Sequence, residues 1–85
     1  MENATIIKEF SYSQVRNDLK FFSTIIKRET PETETGLTYE VLKQTGVERP
    51  VIETYDRYSI AEMDFKNFVL QALNNDLFYT YSAER

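Results

Sequence analysis

Eighty-five residues, 41% apolar and 28% charged, make one small domain with a modest core, too apolar for a disordered chain. The chain has no Cys and no His, which excludes disulfides, thiolate or imidazole nucleophiles and zinc sites built from either; its two glycines, Gly36 and Gly46, are too few for a phosphate-cradling loop. No apolar run approaches the ~20 residues of a membrane span and the first residues lack a signal-peptide pattern, so a cytoplasmic binding or regulatory protein is expected, with no cofactor and no metal.

The first expected element is a strand over residues 4–10, ATIIKEF, short and rich in β-branched side chains. Ser11 and Gln14 then stand at capping-box spacing, with Ser13 a second N-cap candidate. From Ser13 to Arg28 the pattern predicts a helix. Val15, Leu19, Phe22 and Ile26 form one stripe, widened by Phe21 and Ile25, and Lys27 and Arg28 suit the negative end of the helix dipole. TPETETG, residues 30–36, ends it.

LTYEVLKQ reads as a strand through the alternation of Leu37, Tyr39 and Val41, and also, with TGVERPVIETY, as a helix-turn-helix. Strands are preferred: PVIETYDRYSI is β-branched and aromatic, and QTGVER makes a hairpin loop. Ser59 and Glu62 repeat the capping-box spacing and open a helix over about residues 60–74, with Glu62 and Lys66 as an i,i+4 ion pair. Asn74-Asn75-Asp76 is expected to break that helix. The aromatic segment 76–85 is then a last strand or a partner-docking tail. The sum is an α+β domain spanning residues 1–85, a small antiparallel sheet with two helices packed on one face, in the order β-α-β-β-α(-β).

Charge is spread unevenly. Residues 1–28 carry five basic and three acidic groups, residues 29–64 nine acidic and three basic, and the remainder balances within a net charge of −4. An acidic chain repels nucleic acid at long range, so DNA contact requires a local basic face. Arg16, Lys20, Ser23 and Lys27, at spacings of four, three and four, form such a stripe on the expected first helix. Arg suits guanine and Lys suits phosphate, which makes Arg16, Lys20 and Lys27 candidate DNA-binding residues. A solvated helix face is the plain alternative.

Six Phe and six Tyr are many rings for a chain this small. Tyrosine joins an apolar body to a polar tip and favours interfaces, so Tyr55, Tyr58, Phe78, Tyr79 and Tyr81 are candidate partner-binding residues, and a homodimer is expected. Carboxylates such as Glu53 and Asp56 have no accompanying sign of a pocket or electrophile, so no enzyme is expected. Asn3-Ala4-Thr5 is a chance glycosylation match.

Residues 10–27, FSYSQVRNDLKFFSTIIK, resemble the opening of the Phd/YefM-type antitoxins, with Tyr12, Ser13, Arg16 and Leu19 at the positions of a Y-S-x-x-R-x-x-L helix. VERPVIETYDR is loosely similar to the third strand of that family. The resemblance implies a dimeric autorepressor that binds operator DNA through its first helix, with Arg16 in contact and Ser13 near phosphate. It also implies that residues 73–85 face a partner toxin. The alternative from composition is an acidic inhibitor or adaptor, of the kind phages use against host defences, whose acidic middle and tyrosines meet a basic protein.

Overall fold

The computed structural model describes residues 4–15 and 18–83, of which 75–83 by backbone alone. Four strands form an antiparallel meander in sequential order: β1 (Ala4–Ser13), β2 (Lys20–Glu29), β3 (Leu37–Thr45) and β4 (Val51–Tyr55). One long helix, α1 (Tyr58–Ala83), follows and packs on one face of the sheet. The expected order β-α-β-β-α is therefore corrected to β-β-β-β-α, with a single helix where two were expected.

The segment read as the first helix is a turn followed by β2. The doublets Phe21-Phe22 and Ile25-Ile26, four residues apart, satisfy a helical stripe. They equally satisfy a strand that is apolar on both faces. Phe21 and Ile25 are buried beneath the helix, while Phe22 and Ile26 turn to the other side. Aromatic and β-branched residues in FFSTII favour the pleated chain. Asp18 lies in the turn with a φ of 55°, which a short polar side chain tolerates. The Gln14 and Asp18 amides close it by donating to the Leu19 and Gln14 carbonyls at 2.8 and 3.0 Å.

Register fixes the two faces. Ile25 lies opposite Lys8 and Val41, and Val41 opposite Glu53, so these point toward α1. Ile25 and Val41 are fully buried with Ala61, and Phe65 nearly so; Ile7, Phe10, Tyr39, Tyr55, Tyr58 and Val69 close around them. Ala61 and Ala72 are small enough to let the helix lie close to the strands. Phe68 adds a tilted contact with the Phe21 ring, centroids 5.8 Å apart.

Ion pairs flank this core on both sides of Phe65. Lys8 donates to Glu62 at 2.8 Å, and Lys43 donates to Asp64 at 2.9 Å. The i,i+4 partner Lys66 stands 3.7 Å from Glu62. The Gln14 side chain donates to the Ala72 carbonyl at 3.1 Å, so α1 has reached the end of the sheet at that point. It nevertheless continues to Ala83, through the Asn74-Asn75-Asp76 stop and in place of the proposed last strand. Asn and Asp are only weakly unfavourable inside a helix, by about 0.7 kcal/mol each against Ala, no worse than the Phe, Tyr and Thr that follow and far short of a Gly or Pro stop.

The sheet's edges differ. β1 carries a bulge between Ile6 and Lys8, whereas the five-residue β4 pairs with β3 in unbroken register.

Candidate functional site

Among the described residues, no element lies over the face of the sheet away from α1. Alternation assigns to it Ile6, Glu9 and Ser11 of β1, Phe22, Thr24, Ile26 and Arg28 of β2, Glu40 and Leu42 of β3, and Ile52 and Thr54 of β4. An uncovered face of an antiparallel sheet is ordinarily polar. Here each strand contributes a large apolar side chain to an oblique belt, Ile6–Ile26–Leu42–Ile52. Ile6 is beside Ile26 and Leu42 beside Ile52 in the ladder, with Phe22 adjoining. The belt's two ends are the most open, Ile6 at 57% and Ile52 at 55% exposure. Thr24, at its centre, is walled in to 4% by its neighbours.

Charge borders the belt. Glu9 lies beside Thr24 on the β1 side, and Arg28 reaches diagonally to Glu40 at 2.9 Å. Past the end of β2 the exposed Glu32 and Glu34 of the loop add acidic charge. Several cations elsewhere are neutralised internally: Lys8 and Lys66 by Glu62, and Lys43 by Asp64.

Of the expected DNA-binding residues, Ser13 and Lys20 come together and Lys27 stands apart. Ser13 ends β1 and faces Lys20, which begins β2, both exposed on the open side. Lys27 pairs with Thr5 and Tyr39 on the helix side, seven residues along β2 from Lys20 and so about 23 Å away. Ser23 of the same stripe is fully buried and donates to the Leu42 carbonyl at 2.7 Å. Arg16 lies outside the described residues. Of the antitoxin-like motif, Tyr12 and Ser13 are on β1 and Leu19 is in the turn, so the helix that motif implies is not formed.

Tyr55 and Tyr58 face inward. Their hydroxyls donate to Asp64 at 2.7 Å and to Glu62 at 2.9 Å, and the Tyr58 ring meets that of Tyr39 edge-on at 5.7 Å. The hydrogen bond to Asp64, then burial, pushes the Tyr55 phenol up to about 12. Lys8 holds Glu62 below the ordinary carboxylate range, helped by Tyr58, and is itself raised by Glu62. These groups fasten the helix to the sheet. Phe78, Tyr79 and Tyr81 belong to the part of α1 whose side chains lie outside the described residues.

The belt residues escaped the sequence reading because the Phe-Phe and Ile-Ile doublets were assigned to one helical stripe. Read as a strand, those doublets would have disclosed a second apolar face. Among the described residues no group of three or more acidic side chains is placed to share a metal ion, and no helix is long and apolar enough to cross a membrane. Comparison with protein-family models, curated proteins and solved structures returns no match.

Proposed function

We propose that this chain is a non-enzymatic adaptor or inhibitor, acting in the cytoplasm, that binds another protein through the open face of its sheet. The observation that carries the reading is the belt Ile6–Ile26–Leu42–Ile52, one side chain from each strand, left uncovered on a face that solvent alone would make polar. The partner is a protein with an apolar patch whose margin is basic where it meets Glu9 and the loop carboxylates Glu32 and Glu34, on a chain of net charge −4. Apolar contact supplies the affinity; opposite charge supplies orientation and rate. Operator binding needs a helix over residues 13–28, and β2 occupies much of that stretch, which favours protein binding.

The test is capture of a partner with the intact chain, followed by titration of the purified pair. Leu42→Arg puts a cation at the centre of the belt without entering the core. It should abolish measurable binding while circular dichroism stays unchanged, and binding of the original chain should weaken as salt is raised. Equal binding by both chains would refute the site.

A further inference from the structure

The side of α1 turned away from the sheet carries its own pattern. Ile60, Met63, Asn67, Leu70 and Asn74 follow one another at spacings of three, four, three and four, the seam of a two-stranded coiled coil. In heptad terms Ile60, Asn67 and Asn74 take the a positions, and Met63 and Leu70 the d positions. Of the residues that face the sheet, Tyr58, Ala61, Phe65, Phe68 and Ala72 are b or f and Val69 is c, all on the side opposite the seam, while Asp64, at e, reaches the sheet from the flank. The seam is open to solvent, with Met63 63% and Leu70 53% exposed. Between its side chains runs a shallow groove of about 360 Å³ lined by Ser59, Glu62, Met63, Lys66, Asn67 and Leu70. The sequence continues the same spacing at Leu77 and Tyr81, which extends the repeat over three heptads, about 33 Å of helix.

We propose that α1 pairs with α1 of a second copy, parallel and in register about a two-fold axis along the seam. Three observations select a second copy as the occupant. Asparagine at an a position costs stability against an apolar partner. Across a parallel two-fold axis it meets its own amide, which donates and accepts in equal measure, and it fixes both register and the number of strands. Leu70 at d, in a repeat opened by the β-branched Ile60 at a, suits two strands. The flanking positions then oppose no like charges: Ser59 comes beside Asp64 of the second copy, and Lys66 beside Gln71. Because the sheets sit on the far sides of both helices, the layers stack sheet, helix, helix, sheet without collision. This interface leaves the open sheet faces on the outside, so the dimer presents two of the proposed docking surfaces and does not depend on them.

The test uses the full chain. Sedimentation should give a dimer, and Leu70→Glu, which places two carboxylates in an apolar seam, should weaken it roughly a hundredfold with the fold retained. If that variant loses its circular dichroism signal, Met63→Glu serves in its place. Asn67→Cys, in a chain otherwise free of cysteine, should give a disulfide-linked dimer on mild oxidation, whereas Glu34→Cys should not. A monomer at all concentrations overturns the proposal. So does a dimer that Leu42→Arg disperses and Leu70→Glu does not, or a dimer in which Asn67→Cys fails to cross-link.

Discussion

Tyr55 donates its phenolic hydrogen to one oxygen of Asp64 at 2.7 Å, and Lys43 donates to the other oxygen at 2.9 Å, so a single helix carboxylate ties down both β3 and β4. Ionising the phenol would set two anions side by side. The folded pKa of Tyr55, about 12, therefore lies above the ordinary 10. A group raised on folding stabilises the protein fully below its unfolded value, so this contribution is complete below pH 10 and is lost as pH climbs from 10 to 12. In a spectrophotometric titration of the six tyrosines, one should ionise last, and Tyr55→Phe should remove that phase. Six tyrosines titrating as a single class would contradict the contact.

Glu62 shifts in the other direction, because Lys8 and then Tyr58 hydrogen-bond its charged form. Its contribution is present above the ordinary carboxylate value of 4.5 and disappears as pH falls through the lowered folded value. Thermal unfolding followed from pH 6 downward should show Glu62→Gln less stable than the original chain at the upper end, with the difference shrinking toward acid. A gap that stays constant throughout would mean that the ion pair adds nothing. Lys8→Met should return the Glu62 carboxyl toward its usual range, read by NMR.

Ile25 sits where β2 crosses beneath Phe65 and has no exposed surface. Ile25→Ala should cost about 2–5 kcal/mol in denaturant unfolding, a large part of the stability of a domain this size. Val47, at the tip of the β3–β4 turn, is fully exposed, and Val47→Ala should fall within about 0.5 kcal/mol of neutral.

Gly46 opens that same turn with a φ of 61° and donates its amide to the Lys20 carbonyl at 2.7 Å. A Cβ there would stand 2.9 Å from Leu19 Cδ1, a flexible methyl that can move aside, so the left-handed backbone sets the penalty. Gly46→Ala should destabilise on the order of 1 kcal/mol, and Gly46→Asn less, since Asn enters that region more readily. Chemical denaturation midpoints of the two variants decide it.

Local chemistry made much of this fold readable in advance. The β-branched ATIIKEF, the alternation of Leu37, Tyr39 and Val41 and the turn QTGVER all form strands and hairpin as expected, and Glu62–Lys66 lies on a helix. The failure fell on residues 13–28, where paired apolar residues fit a period of 3.6 as well as a two-sided strand. Only the pairing of β2 with both neighbours separates the two, and that information is distributed over β1 and β3. The same ambiguity concealed the candidate site: Phe22 and Ile26 belong to a surface that exists only once β2 is extended. The helix seam is obscured differently: α1 is apolar on two sides, and only the packing of Phe65 and Phe68 on the sheet separates that inward side from the outward Met63 and Leu70.

The irregularity at Ile7 gives the sheet a handed perimeter. Its first margin is interrupted and carries Lys8 turned inward, while its last, Val51 to Tyr55, runs plain. Lateral polymerisation needs two usable margins on every molecule, and this one offers a single one. Side-by-side annealing would consume both plain margins in the first encounter and halt there, so crowding should yield finite particles instead of fibres.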